Sequence, residues 1–233
     1  MGRRPEHPKT ETDGSHHDRI VSAFMALLAE RPFEEIGFGD IAARAGVSLV
    51  ELRGEFDSKL DILAAHTKAI DRRVLAGGEP DMAEEPARER LFDVLMRRLE
   101  AMAPEKEAVR SLMRSARRNP GLALALNALT VRSQQWMLAA AGLDVAGPRG
   151  MVHAQGLALL YASVLRTWVH DDDPGLARTM AALDRELARG QRWVGFLDDL
   201  CRLSPTRCCP GRRRNRERGR RHRETGDGEP AAA

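Results

Sequence analysis

Aromatic residues are scarce in this chain, at 4% with a single tyrosine, and its three cysteines all fall near the C-terminus at Cys201, Cys208 and Cys209. No CxxC pair or Cys/His cluster accompanies them, which excludes a zinc module or a disulfide framework. No run of about 18 consecutive apolar residues occurs, so no span across a membrane is expected. The first twenty residues are polar and charged, without the apolar core of a secretory signal, and the expected location is cytoplasmic. The motifs G-x-S-x-G, G-x-x-x-x-G-K-[ST] and H-E-x-x-H and the EF-hand loop are all missing, so neither an enzyme nor a cofactor site is expected. His170 beside Asp171, Asp172 and Asp173 is the nearest approach to a cation site, but Pro174 and flanking helical patterns make it an interhelix turn. No metal site is expected there or at His16 and His17.

What is present is enough apolar material, 42% of 233 residues, to bury a core. The formal net charge of +3 conceals an uneven distribution. Residues 204–233 carry nine arginines against four acids, which leaves residues 1–203 at −2. That tail has no apolar period and reads as disordered. It is either a solvated extension or a surface for nucleic acid or anionic lipid, held by release of counterions.

Residues 1–14, with Pro5, Pro8 and Gly14, read as a disordered arm. A first helix is expected from Ser15, with Ile20, Phe24, Leu27 and Leu28 on one face, ending at Pro32. Gly37 to Ala45 gives a second, short helix ended by Gly46, and a third begins at Ser48, whose spacing to Glu51 forms a capping box. Ser58 and Asp61 repeat that spacing and open a fourth helix from about Lys59 to Leu75. An acidic linker at 79–86 precedes helical segments at about 87–103, 106–118, 121–142, 149–170 and 174–203, bounded by prolines. With no convincing strand and no internal repeat, the chain is all-α: a helical domain at 15–76 followed by a second at 87–203.

Ile41-Ala42-Ala43-Arg44-Ala45-Gly46-Val47-Ser48, followed by Phe56-Asp57-Ser58-Lys59, resembles the DNA-binding signature of TetR/AcrR-family transcriptional regulators over roughly residues 15–76. The apolar and small residues at the junction, with Gly46 at the turn, independently suit a helix-turn-helix at 37–56. The resemblance implies a three-helix DNA-binding domain whose third helix enters the major groove, with Arg44, Ser48, Leu49, Val50, Arg53 and Lys59 as the DNA surface. Lys59 would grip phosphate at the start of the fourth helix. The chain departs from the family pattern at Gly37, where a capping threonine or serine is usual, and at Val50-Glu51-Leu52-Arg53-Gly54-Glu55, which lacks the usual hydroxyls and ring. Residues 15–60 hold five basic and eight acidic groups, and Glu51 and Glu55 lie on the recognition helix itself. The capping box gives Glu51 a reason to turn back toward the backbone, and nothing comparable applies to Glu55.

The resemblance further implies that residues 87–203 form a ligand-binding and dimerisation domain, pairing two copies through its last two helices. Met96, Met113, Trp136, Met137, Tyr161 and Trp168 are candidates to line its pocket, or else are ordinary core residues. Residues 156–185, including Tyr161-Ala162-Ser163, Trp168, Asp171 to Gly175 and Leu183-Asp184-Arg185, also resemble the C-terminal region of the TetR-like coenzyme Q biosynthesis accessory proteins. That similarity implies a lipid-binding alternative, an isoprenoid or quinone precursor replacing DNA as the partner. Residues 191–203 place Trp193, Phe196, Leu197 and Leu200 on one face, either as a terminal helix closing the dimer or core, or as a peripheral membrane contact. The leading expectation is a homodimeric repressor binding a palindromic operator and a small apolar ligand.

Overall fold

The computed structural model describes residues 11–78, 82, 84–143 and 145–203, with side chains from His16 to Gly190 within those ranges. Among the described residues there are nine α-helices and no strand. They are α1 (Glu11–Glu30), α2 (Phe38–Ala45), α3 (Leu49–Glu55), α4 (Lys59–Ala76), α5 (Ala87–Ala101), α6 (Lys106–Arg118), α7 (Pro120–Ala140), α8 (Gly147–Trp168) and α9 (Ala177–Leu203). Short 3₁₀ turns at Phe33–Glu35 and Ala103–Glu105 fill two of the connections. None of the described helices is long and apolar enough to cross a membrane. The chain divides into a compact unit ending at Gly190 and a second from Gln191, whose described part is the helical stretch to Leu203. The arm before Glu11, the tail at 204–233 and the side chains of Trp193, Phe196, Leu197, Leu200 and Cys201 lie outside the described residues.

Helix α1 begins at Glu11, earlier than the expected Ser15. A capping-like spacing marks a start only where something stops the helix from extending backward, and no proline lies between Pro8 and Pro32. Prolines elsewhere open helices. Pro120 is the first residue of α7, where the Asn119 side chain accepts the Leu122 N–H at 3.0 Å, and Pro148 lies in the first turn of α8. A first-turn proline loses nothing, because its missing N–H would have had no helical acceptor. Pro174 does not open α9, which starts at Ala177 after Leu176 at φ 51°. The buried Asp171 carboxylate accepts the Thr179 N–H and O–H at 2.9 and 2.7 Å, and Asp173 accepts the Ala177 N–H at 3.1 Å. The acidic turn therefore caps α9.

Two apolar clusters lie within the first unit. One gathers Ile20, Phe24 and Leu28 of α1 with Ile36, Ile41, Leu52, Phe56, Ile62 and Leu63, and takes Ala108 and Leu112 from α6. The other gathers Leu95 and Leu99 of α5, Met137 of α7, Tyr161, Val164 and Trp168 of α8 and Leu183 of α9, with Ile70 and Val74 of α4. Helix α4 thus roots in both cores, its first half in one and its second in the other. Helix α6 is bound to both. Its Ser111 hydroxyl donates to the Arg31 carbonyl at 3.2 Å and its Ser115 hydroxyl accepts the Phe33 N–H at 3.2 Å. Next to Ser111, Arg110 Nε donates to the Val169 carbonyl at 3.1 Å.

Candidate nucleic-acid interface

Helices α2 and α3 form the expected helix-turn-helix, and the turn between them is specified by Gly46 at φ 64°, ψ 41°. The Val47 N–H reaches the Ala42 carbonyl at 3.0 Å and the Gly46 N–H the Ala43 carbonyl at 3.3 Å, the paired bonds of a Schellman stop. A β-carbon on Gly46 would lie 2.9 Å from Arg19 Nη2. Arg19 donates from Nε to the Ala45 carbonyl at 3.0 Å and from Nη2 to the Gly46 carbonyl at 2.7 Å, tying α1 to the turn and satisfying the end of α2. The sequence signal for Arg19 is faint: a lone cation on α1 whose acceptors lie 26 and 27 residues away.

Helix α3 opens with the full capping box. The Glu51 N–H donates to the Ser48 hydroxyl at 3.2 Å, and the Ser48 N–H donates to the Glu51 carboxylate at 2.7 Å. That backbone bond, aided by the Ser48 side chain, holds the Glu51 carboxyl below the usual carboxylate range. One of the two troublesome acids is therefore folded back onto the helix start, where the helix dipole favours it. Glu55 is half-buried, with no hydrogen bond or ion pair among the described residues. At α2 the departure at Gly37 is compensated from within the helix, because Asp40 accepts the Gly37 N–H at 2.9 Å.

Four of the candidate contact residues stand outward on this motif. Val50 is 83% exposed and Leu49 56%. Arg53 is exposed and paired with Asp57 one turn on, and Arg44 is exposed and paired with Glu30. Exposed ion pairs of this kind are worth only about 0–1 kcal/mol, so both guanidinium groups can exchange a carboxylate for a phosphate or a base edge at little cost. Ser48 is exposed but engaged as the cap of α3.

Lys59 differs from the expectation. Its ammonium donates to the Phe33 and Ile36 carbonyls at 2.8 and 2.9 Å and lies 4.2 Å from the centre of the Phe33 ring. Burial lowers its pKa, against the opposing pull of Glu34. The lysine closes the carbonyls of the 3₁₀ turn between α1 and α2, which have no helical partner, so it serves as an internal strut rather than a phosphate clamp.

The six candidate pocket residues are not gathered around one cavity. Met96, Met137, Tyr161 and Trp168 are packed into the second apolar cluster with Met113 at its edge, whereas Trp136 is 58% exposed on α7. Two cavities, of about 320 and 310 Å³, lie elsewhere and none of the six lines either. Inside the cluster is a polar network that periodicity alone did not reveal. Arg98 of α5 donates from Nε to Asp71 of α4 at 3.2 Å and from Nη1 to the Tyr161 hydroxyl of α8 at 2.9 Å. Ser133 of α7 donates to the same Asp71 oxygen at 2.7 Å. All four are buried, as is Gln134, whose amide nitrogen and oxygen have no hydrogen-bond partner among the described residues. A signal did exist for Arg98: Leu91, Val94, Leu95 and Leu99 set the buried stripe of α5, and position 98 falls on it.

No protein-family model and no curated protein matches the chain. Among solved structures, it is similar to the TetR transcriptional regulator from Nitrosomonas europaea ATCC 19718, with 25% identity and a TM-score of 0.59 over 75% of this chain and 97% of that one. It is also similar to a TetR transcriptional regulator from Rhodococcus sp. RHA1, with 19% identity and a TM-score of 0.52 over 77% of this chain and 97% of that one. The all-helical architecture is thus the TetR-like fold.

Proposed function

We propose that this TetR-fold protein is a ligand-responsive, homodimeric transcriptional repressor that reads a palindromic DNA operator through α3. The observation that carries the reading is the solvent-facing side of that helix, where Leu49, Val50 and Arg53 are outward while the Glu51 carboxylate is turned back onto the Ser48 N–H. Apolar side chains so exposed on a short helix suit thymine methyl groups, and an arginine beside them suits guanine or phosphate. Arg44, at the end of α2, is placed to hold the backbone.

Pairing of two copies is supported by exposed apolar side chains on α8, where Met151, Val152 and Leu159 face solvent. An effector among residues 87–170 is supported by Gln134. A buried amide with neither end paired is costly, and the hydrogen bonds of a bound molecule would satisfy it.

The test is selection of bound fragments from random DNA at near-physiological salt, using the full chain alongside one ending at Leu203 so that the arginine tail cannot supply the binding. A palindromic site is expected from both. Arg53→Ala is then expected to relax recognition at one position, costing about 1–3 kcal/mol there. Failure of both chains to enrich any site would overturn the reading.

A further inference from the structure

Between the end of α1 and one face of α6 lies the cavity of about 320 Å³, near the lower end of the range for small-molecule sites. Ser111, Arg114, Ser115 and Arg118 line it from α6, at the spacing of a single helical face, and Glu30, Arg31 and Glu34 line it from the opposite side. The two serines are committed to the Arg31 carbonyl and the Phe33 N–H, so the donors facing the space are the three arginines.

The charges do not cancel inside the cavity. Glu30 is taken by Arg44, which lies outside it, and Arg31 faces Asp40 at 3.7 Å, also outside. Glu34 is the one lining carboxylate with no ion pair among the described residues, and it leaves the two remaining guanidinium groups in excess. Arg114 and Arg118 are left with no ion pair or hydrogen bond among the described residues. Arg118 in the last turn of α6 also complements the negative end of that helix, as does Arg117. Arg114, a turn earlier, has no such role. Two unmatched guanidinium groups four residues apart form a fork suited to an anion of two charges.

We propose that this cavity is a binding site for a compact dianion, a phosphate monoester or small dicarboxylate, held by Arg114 and Arg118 with Arg31 at its rim. The lining shares no residue with the DNA-reading surface, although its Glu30 is the partner of Arg44, and the proposal does not depend on the regulator reading. Because its lining comes from the end of α1 and from α6, an occupant would tie those two helices together at the edge of the N-terminal cluster.

The test is arginine modification of the full chain by a dicarbonyl reagent, mapped by mass spectrometry, with inorganic phosphate, succinate or chloride added at matched ionic strength. Arg117 shares the helix end but not the cavity and serves as the internal control. Phosphate or succinate is expected to slow modification of Arg114 and Arg118 while leaving Arg117 at its chloride rate, and the more effective anion names the chemistry. Affinity for that anion, read by calorimetry, is expected to be about tenfold or more weaker in Arg114→Gln/Arg118→Gln than in the wild-type protein. Equal protection of Arg117, or no protection at all, would overturn the site. So would unchanged affinity in the double variant, which would place the anion on other arginines.

Discussion

The two apolar clusters of the first unit treat polar groups in opposite ways. Around the N-terminal cluster the polar groups serve the backbone at chain turns: Ser48 and Ser58 cap helices, Asp40 holds a backbone N–H, Arg19 and Lys59 bind free carbonyls, and the buried Ser111 and Ser115 hold the Arg31 carbonyl and the Phe33 N–H. The cluster itself is wholly apolar. The C-terminal cluster instead surrounds a buried ion pair, two buried hydroxyls and an unpaired amide. A core sealed by caps is fixed by local chemistry and suits a rigid reading head. A core with polar groups inside is stable only while they are satisfied, and that condition suits a region that responds to a ligand.

The contrast breaks most visibly at Arg98. Arg98→Met leaves the Asp71 carboxylate buried with only Ser133 as a hydrogen-bond partner and is expected to cost about 3–5 kcal/mol in urea unfolding. Adding Asp71→Leu to the same chain is expected to restore much of that loss, since a buried pair replaced by apolar residues of similar size is often neutral. Additive costs would mean that the two side chains do not act as one unit.

His66 sharpens the comparison through pH. Burial first, then the neighbouring Arg98 and Arg73, push its pKa down from 6.5 to about 4. Between those values the unfolded chain binds more protons than the folded one, so stability is complete above the unfolded pKa and is lost as pH falls toward 4. The loss is about 3 kcal/mol at its fullest. His66→Gln is expected to flatten the stability curve across this window while leaving the carboxylate-driven loss at lower pH. An identical slope in both proteins would mean that the imidazole is well solvated and that this part of the core is open to water.

The same contrast explains what was legible beforehand. The helix-turn-helix could be read because its determinants are a few residues apart: Gly46 at a turn, Ser48 three before Glu51, Ile41 and Leu52 on inward faces. Helix starts were misplaced where a proline was taken as a boundary, since Pro120 and Pro148 belong to first turns. Arg19 and Lys59 were out of reach for a different reason, because each finds its acceptors 23 or more residues away. Lys59 shows the hazard of carrying a role across by motif position alone: the residue matches, but the Phe33 ring and two open carbonyls claim it first. The bonds of the Asp71–Arg98–Tyr161 network join residues 27 and 63 positions apart and follow from packing that no local pattern encodes.

The smallest effect expected is at the cap of α3. Ser48→Ala removes the acceptor of the Glu51 N–H but leaves the reciprocal bond from the residue 48 N–H to the Glu51 carboxylate, so the cost should be about 1 kcal/mol. Its effect on DNA binding should be larger than on stability. The cap orders the first turn of α3, which carries Leu49 and Val50 and leads into the turn that holds Arg53, and a frayed first turn must be re-ordered on every binding event. Hydrogen exchange at the amides of residues 49–52, measured beside operator affinity, checks both. Faster exchange with weakened binding and a nearly unchanged unfolding midpoint would show that the cap serves the reading surface more than the core. A shifted midpoint with unaltered affinity would place α3's order in its packing through Leu52 and Phe56 instead.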